Sequence, residues 1–133
     1  MAKTTTPLAI YDTTLRDGNQ GIGIGLSLKD KLVIAERLSD FGIPYIEGGW
    51  PNPTNEIDRA FYEEIRKRPL KARIAAFGCT RRPGVRCEDD DFLRMLVETG
   101  APVATIFGKS WDLHVEQVIR CGLSENLDMI SES

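Results

Sequence analysis

The pattern of hydrophobic and polar positions changes regularly between two periods along the chain. Short apolar runs predict β-strands, and longer stretches with apolar residues three or four positions apart predict helices. Each predicted strand is followed by a helical segment. The strands lie at residues 7–11, 43–46, 72–77 and 103–107. Because these runs are almost continuously apolar, we expect one parallel sheet that is buried on both faces and covered by helices.

The predicted helices carry start and stop signals. Ser27 and Asp30 form a capping box before the first helix, and Gly42 is placed to end it. Asn55 and Asp58 are candidate caps for the second helix. Apolar residues at helical spacing predict the buried stripes. They are Leu28, Leu32, Ala35, Leu38 and Phe41, then Ile57, Phe61 and Ile65, then Phe92, Leu93, Leu96 and Val97, and finally Trp111, Val115, Val118, Ile119, Leu127 and Ile130.

Two architectures repeat the strand–helix unit in this way, a doubly wound open sheet and a closed (β/α)₈ barrel. A complete barrel needs about 250 residues and eight strands. The 133 residues would therefore form about four βα units, the N-terminal half of a barrel with an open sheet edge on either side. An open sheet would need no further strands. The pattern of apolar residues leaves both architectures open.

Composition and charge argue against a nucleic-acid-binding, membrane-bound or secreted protein. The sequence is 41% hydrophobic and 28% charged, which is typical of a soluble globular protein. A net charge of −3 gives no electrostatic basis for binding nucleic acid or an anionic membrane, and no apolar run is long enough to span a bilayer. The start of the chain lacks the apolar segment of a secretory signal, and three cysteines without CxxC spacing indicate reduced thiols. We therefore expect a cytoplasmic protein with neither nucleic-acid nor membrane partners.

Charged and amide side chains follow each predicted strand. They are Arg16, Asp17 and Gln20, then Glu47, then Arg81 and Arg82, and then Lys109. Since functional residues of parallel α/β proteins gather where strands end, we expect these side chains at one end of the sheet. The glycines of residues 21–25 do not form a nucleotide-binding fingerprint, and His114 is the sole histidine. Neither is a strong candidate for a site.

Two interpretations of the first cluster remain open on residue types. In the functional one, Asp17 binds a hard divalent cation, Arg16 clamps a carboxylate or stabilises an enolate-like oxygen, and Glu47 orients the arginine. In the structural one, Asp12 and Asp17 make hydrogen bonds within the turn, and Arg16 pairs with Glu47 for stability.

Four segments of the chain resemble a known enzyme family. Residues 12–20, DTTLRDGNQ, followed after ten residues by Lys31, are similar to the first signature of the isopropylmalate, homocitrate and citramalate synthases. These are metal-dependent Claisen-type synthases built on a (β/α)₈ barrel. Residues 46–51, 76–82 and 107–114 look most like the citramalate synthase branch. The resemblance favours the barrel and the functional interpretation of the cluster.

The resemblance also implies roles for individual residues. Asp17 would bind the metal, which would be magnesium, manganese or zinc. Arg16 would polarise the carbonyl of a 2-oxo acid substrate and steady the enolate of the co-substrate acetyl-CoA. Gln20 would lie close to the metal and the 2-oxo acid, and Glu47 would be the acidic member of a catalytic triad with Arg16 and Asp17. The implied reaction condenses acetyl-CoA with pyruvate to citramalate and CoA, a step towards isoleucine.

The sequence departs from the family pattern in one respect. The family's metal site also uses a His-x-His pair from a late barrel strand, and this sequence contains no such pair. We therefore interpret residues 1–133 as a partial catalytic barrel domain, truncated at its C-terminus. The resemblance implies that the full-length enzyme is a homodimer and that the 133-residue chain alone is inactive. The alternatives are a 2-isopropylmalate or homocitrate synthase that uses a different 2-oxo acid, and a non-catalytic half-barrel that pairs with another chain.

Overall fold

The strands of the molecule form a single parallel sheet. The computed structural model describes residues 8–133. The strands are β1 (Tyr11–Asp12), β2 (Tyr45–Gly49), β3 (Arg73–Cys79) and β4 (Val103–Phe107). The helices are α1 (Leu28–Phe41), α2 (Glu56–Ile65), α3 (Asp91–Glu98), α4 (Asp112–His114) and α5 (Leu123–Glu132). A π-helical turn, Val115–Ile119, follows α4, and short 3₁₀ turns lie at Gly18–Gln20 and Cys87–Asp89.

The order of the strands decides between the two predicted architectures. Neighbouring strands in the sheet are also neighbours in the sequence, in the order β1-β2-β3-β4, and every pair is parallel. Right-handed crossovers that always advance in the same direction place all their helices on one face of the sheet. A doubly wound sheet would reverse direction partway and carry helices on both faces. The four βα units therefore form half of a (β/α)₈ barrel, and the predicted fold class is confirmed.

The hydrophobic core lies between the sheet and the helices. Ile46, Ile74 and Ala76 point from β2 and β3 towards α1 and α2, and Phe61 meets them from α2. The remaining buried members of this cluster are Leu15, Leu32, Ala35, Tyr62, Ile65, Ala72 and Leu96. Burial of apolar area contributes about 25 cal/mol per Å². The buried cluster therefore stabilises the outward-facing side of β2 and β3.

The predicted helix signals of α1 and α2 are present. The Ser27 hydroxyl accepts a hydrogen bond from the Asp30 amide at 3.2 Å, and the Asp30 carboxylate accepts one from the Ser27 amide at 3.0 Å. Gly42 ends α1 with φ of 100°, a left-handed conformation that favours glycine. Asn55 caps α2 by accepting from the Asp58 amide at 3.0 Å. Asp58 itself is not the cap, because its carboxylate is directed towards α1 and β2.

Several predicted boundaries and burials are wrong. Within the described residues, the first strand covers only Tyr11–Asp12, and residues 8–10 are exposed; Pro7 lies outside the described range. The inner face of the sheet is not buried throughout, since Phe107 is 48% exposed. Some helix-stripe residues are exposed as well, namely Phe41, Ile57, Val97, Trp111, Val118, Leu127 and Ile130. The physical reason is shared: a strand or helix pattern marks an apolar side chain, but burial requires an opposing element.

The helices of residues 8–133 include none that is long and apolar enough to cross a membrane.

Candidate active site

The loop after β1 is built around two hydrogen-bond acceptors. The Thr13 carbonyl accepts from the amides of Arg16, Asp17 and Gly18 at 3.2, 2.8 and 3.1 Å. The Asp12 carboxylate accepts from the Thr14 amide at 3.0 Å and from its hydroxyl at 3.1 Å. This confirms the turn-forming role predicted for Asp12. Together with the fully buried Leu15, these bonds fix the backbone from which Arg16 and Asp17 project.

Arg16 is held on three sides. Its Nε donates to the Glu47 Oε1, its Nη1 lies 3.2 Å from the Asp17 Oδ1, and its guanidinium carbon lies 4.0 Å from the centre of the Phe77 ring. The Arg16 side chain is 19% exposed and that of Glu47 is 2% exposed. A charge-assisted hydrogen bond and a cation–π contact together restrict the guanidinium to one orientation. The pairing of Arg16 with Glu47 was predicted and is confirmed.

The Glu47 carboxylate has a second partner. Its Oε2 accepts a hydrogen bond from the Tyr11 hydroxyl at 2.9 Å, and that hydroxyl lies 2.6 Å from the Thr105 Oγ1. Register explains the meeting of these side chains: Tyr11 pairs with Tyr45, two residues before Glu47, and Thr105 pairs with Phe77. Side chains two residues apart in a strand share a face. All of them therefore lie on the inner face of the half-barrel.

Asp17 and Gln20 lie at the open side of this cluster. The Asp17 side chain is 63% exposed, and Gln20 is exposed at the end of the 3₁₀ turn three residues later. A carboxylate oxygen suits magnesium or manganese. No group of three or more His, Cys, Asp or Glu residues within positions 8–133 could hold a metal ion. Asp17 therefore fits a metal as one ligand, and the described chain does not supply a complete site.

A second polar cluster lies on the other side of the sheet. Lys31 is fully buried, and its Nζ donates to the Asp58 Oδ1. The Asp58 Oδ2 accepts from the Trp50 amide at 2.8 Å and from the Asn55 Nδ2 at 2.9 Å. Gly49 has φ of 152° at the irregular end of β2, and a side chain there would meet the Asp58 carboxylate. The pair thus fixes the backbone immediately after Glu47.

The cationic loops after β3 and β4 have structural partners. The Arg81 Nε donates to the Glu132 Oε2 at 2.6 Å, and the Arg82 Nε donates to the buried Asp90 at 3.1 Å. The Lys109 Nζ lies 4.9 Å from the centre of the Phe107 ring. These loops border a half-open, largely apolar cavity of about 230 Å³, lined by Trp50, Cys79, Thr80, Arg81, Arg82, Pro83, Phe92, Phe107, Lys109, Ile119 and Met129. The structure thus brings Arg16, Asp17 and Glu47 together and leaves Arg81 and Arg82 in separate ion pairs.

The remaining candidates do not join the cluster. The His114 ring packs 4.5 Å from the Trp111 ring, centre to centre, beyond the end of β4. All three cysteines are free, as predicted. Burial raises the pKa of the Cys79 thiol, which keeps it protonated near neutral pH. Within residues 8–133, none of these side chains belongs to a group that could hold a metal ion.

The profile of the HMGL-like protein family matches residues 7–133. The chain belongs to the HMGL-like family. It is 52% identical to the (R)-citramalate synthase of Aquifex aeolicus over 125 residues, which are 93% of this chain and 24% of that relative. The (R)-citramalate synthase of Synechocystis sp. is also 52% identical, over 100% of this chain and 24% of the relative. The predicted resemblance to these synthases is confirmed, and the chain spans about a quarter of their length.

Two further comparisons place this HMGL-like chain more broadly. The 2-isopropylmalate synthase of Saccharolobus solfataricus is 30% identical over 95% of this chain and 31% of that relative. The HMG-CoA lyase of Bacillus subtilis has a similar structure, with a TM-score of 0.68 and 22% identity over 92% of this chain and 39% of that chain. The structural likeness supports the barrel fold alone.

Three residues of the cluster were missed from the sequence. Tyr11 was assigned to a strand without a polar role, Thr105 was assigned only to a strand, and Phe77 was not linked to Arg16. The two-residue period did contain a signal, since it places alternate residues of neighbouring strands on one face. This period alone does not identify which side chains touch, because that also depends on the register between the strands.

Proposed function

We propose that this chain is the N-terminal part of a citramalate synthase, which condenses acetyl-CoA and pyruvate and then hydrolyses the thioester to give citramalate and CoA. The observation that carries the proposal is the Arg16–Glu47 pair, held at the carboxyl end of a barrel sheet with Asp17 beside it. The degree of similarity supports the choice of substrate. Relatives described as (R)-citramalate synthases reach 52% identity, whereas homocitrate and 2-isopropylmalate synthases stand at 31% and 30%.

Arg16 would act on the oxygen atoms that gain charge. Attack of the acetyl-CoA enolate carbon on the carbonyl carbon of pyruvate forms the new C–C bond and turns the carbonyl oxygen into an alkoxide. Glu47 occupies the Arg16 Nε and Asp17 lies by Nη1, so the other N–H groups of the guanidinium would donate to that oxygen. A preorganised donor of this kind lowers the barrier because it stabilises charge that develops in the transition state.

Glu47 would act through Arg16 rather than on the substrate. Both of its carboxylate oxygens already accept hydrogen bonds, from Arg16 and from Tyr11. A carboxylate with two committed oxygens and 2% exposure is poorly placed to abstract a proton from acetyl-CoA. We therefore assign Glu47 to orienting the guanidinium.

Asp17 would supply one ligand to a divalent cation, and Gln20 would lie close to the 2-oxo acid. Magnesium, manganese or zinc would act as a Lewis acid on the 2-oxo acid. Since the described residues provide a single carboxylate, further ligands must come from outside residues 8–133, and none of the steps above passes through the metal. The proposal places the complete enzyme in the cytoplasm, as a homodimer serving isoleucine synthesis.

A chimera tests the proposal. Residues 8–133 would replace the matching segment of the Aquifex aeolicus (R)-citramalate synthase, to which the chain is 52% identical. CoA release would be followed with a thiol reagent in the presence of manganese, acetyl-CoA and one 2-oxo acid at a time. We expect release with pyruvate and much less with 2-oxobutyrate or 2-oxoisovalerate. A folded chimera that prefers a larger 2-oxo acid would assign the chain to another synthase of the family.

The 133-residue chain alone should show no turnover in the same assay, because Asp17 by itself binds a hard cation weakly. CoA release by the purified 133-residue chain would contradict the incomplete-site interpretation. Gel filtration of that chain separates a further alternative, since a stable dimer without activity would support a half-barrel that pairs with a second copy.

A further inference from the structure

The Tyr11 hydroxyl stands between two elements that are far apart in sequence. It lies 2.9 Å from the Glu47 Oε2 and 2.6 Å from the Thr105 Oγ1. Tyr11 is on β1 and Thr105 is on β4, the two outermost strands of the four-stranded sheet. The tyrosine therefore spans the concave inner face of the half-barrel and ends at the carboxylate that holds Arg16.

The direction of these hydrogen bonds follows from counting protons. Glu47 as a carboxylate can only accept, so the single hydroxyl proton of Tyr11 is donated to Glu47. Thr105 must then donate its own hydroxyl proton to the Tyr11 oxygen. The result is a one-way chain of donors from Thr105 through Tyr11 to Glu47, which meets the Arg16 Nε donor at the other carboxylate oxygen.

Each carboxylate oxygen of Glu47 thus has one donor, and the two donors lie on different elements. A carboxylate held at one oxygen can still rotate about its terminal C–C bond, whereas one held at both oxygens cannot. The Tyr11 ring is itself fixed, because it stacks on Tyr45 at 6.4 Å between ring centres with an interplanar angle of 23°. The Glu47 carboxylate, held in this way, fixes the orientation of the Arg16 guanidinium.

We propose that Tyr11 is a positioning residue for Arg16 and acts by fixing the carboxylate of Glu47. The expected change in kcat rests on the proposed function. The expected position of the Glu47 carboxylate does not depend on catalysis. In this assignment Tyr11 acts through Glu47 and not on the substrate. Its role would be to keep the Arg16 donors aimed at the oxygen on which charge develops.

The protonation state of Tyr11 suits this role. Burial and the neighbouring Glu47 carboxylate raise the pKa of the Tyr11 phenol to about 12, although Thr105 and Arg16 act in the opposite direction. The phenol therefore keeps its proton, and continues to donate to Glu47, over the whole neutral and mildly alkaline range.

The test uses Y11F with Y45F as its matched control, both in the chimera. Both variants delete one phenolic hydroxyl from the same face of the same strand pair, but only Tyr11 contacts Glu47. Hydrogen bonds to charged groups are strong enough that we expect Y11F to lower kcat about tenfold with little change in KM. Y45F should leave both near the unsubstituted values. Equal effects of Y11F and Y45F would overturn the proposal.

A double-mutant cycle isolates the route through Glu47. If Tyr11 acts only by fixing that carboxylate, adding Y11F to E47Q should lower kcat much less than Y11F does alone. Full additivity would contradict the proposal, because it would mean that Tyr11 acts independently of Glu47.

Crystal structures of the Y11F and Y45F chimeras give a readout that does not require activity. We expect the Glu47 carboxylate to rotate away from the Arg16 Nε in Y11F and to stay in place in Y45F. An unmoved Glu47 in Y11F would overturn the proposal even in an active enzyme. A chimera that releases no CoA would overturn the proposed function, and these structures would still decide the role of Tyr11.

Discussion

Two ion pairs in this chain take their cations, Arg16 and Lys31, from one sequence motif and differ in where they lie on the sheet. Lys31 and Asp58 lie on the helix-covered side of the sheet, with side chains 0% and 8% exposed. Arg16 lies on the inner face with Glu47, and its other carboxylate neighbour, Asp17, is 63% exposed. One pair is closed within the fold, and the other ends at an open surface.

The difference lies in how many donors and acceptors are already committed. The Asp58 carboxylate accepts hydrogen bonds from Lys31, Trp50 and Asn55, so the chain itself satisfies it. Arg16 commits its Nε to Glu47 and its Nη1 to Asp17, and within residues 8–133 its remaining N–H groups form no further hydrogen bond. A buried ion pair whose polar atoms are all hydrogen-bonded, such as Lys31–Asp58, holds secondary-structure elements together. A guanidinium in a fixed orientation with N–H groups that the described residues leave unpaired, such as that of Arg16, is suited to bind a ligand oxygen.

The largest expected effect is on stability, from breaking the closed pair. K31M leaves the buried Asp58 without its cation, and removing one partner of a buried ion pair costs about 3–5 kcal/mol. R16M also leaves a buried carboxylate, that of Glu47, without its cation, but we expect a smaller cost because Arg16 borders the open face, from which water can reach Glu47 once the guanidinium is removed. Urea unfolding of the 133-residue chain and its two variants, followed by circular dichroism, measures the difference. Equal losses of unfolding free energy in K31M and R16M would show that the two ion pairs contribute to stability in the same way.

Changing Arg16 of the open pair should alter the free energy of unfolding less than K31M does, but it should lower kcat strongly. R16K in the chimera keeps the positive charge and loses the planar fork of donors. Loss of one donor to a developing oxyanion lowers kcat by about a hundred- to a thousandfold. The melting temperature should change little. Retention of kcat within a few-fold would remove Arg16 from the chemistry, whereas loss of the fold in R16K would place it with Lys31.

An intermediate case is the Arg82–Asp90 pair, with one side chain 46% exposed and the other 1% exposed. Asp90 also caps α3 by accepting from the Phe92 amide at 2.9 Å. Burial alone would raise the pKa of the Asp90 carboxyl, but the hydrogen bonds from Arg82 and Phe92 hold it below its usual value. Replacing a helix cap costs about 0.5–2 kcal/mol. The free energy of unfolding of D90A should therefore lie between those of K31M and R16M.

The pH dependence of D90A follows from the sign of that shift. A depressed pKa contributes stability above the unfolded value, and the contribution is lost as the pH falls through the folded value. The stability difference between the unsubstituted chain and D90A should therefore be constant near neutral pH and shrink below about pH 4. Urea unfolding at a series of pH values checks this, and a difference that grows in acid would contradict it.

The sequence could predict the features that depend on neighbours along the chain. The capping box of Ser27 and Asp30, the stop at Gly42 and the alternation of strands and helices all depend on residues within one or two turns. The pairing of Arg16 with Glu47 could also be predicted, because both were expected at the same end of one parallel sheet. Pattern alone could not choose between barrel and open sheet, since that choice depends on strand order.

The contacts that complete each cluster could not be predicted. Lys31 and Asp58 are 27 positions apart, Tyr11 and Glu47 are 36 apart, and Tyr11 and Thr105 are 94 apart. Each meeting depends on the register between strands or on how a helix packs, and a shift of one residue would turn Tyr11 to the other face. Lys31 was part of the recognised motif, but its buried partner was visible only in three dimensions.

Formation of the new carbon–carbon bond is the most direct test of the proposed function. The chimera carrying residues 8–133 would be incubated with acetyl-CoA, manganese and ¹³C-labelled pyruvate, and the products would be identified by NMR. We predict that the label appears in citramalate and that the R16K chimera produces far less of it. A folded, metal-loaded chimera that leaves pyruvate unchanged, while the parent Aquifex aeolicus enzyme converts it under the same conditions, would contradict the proposal.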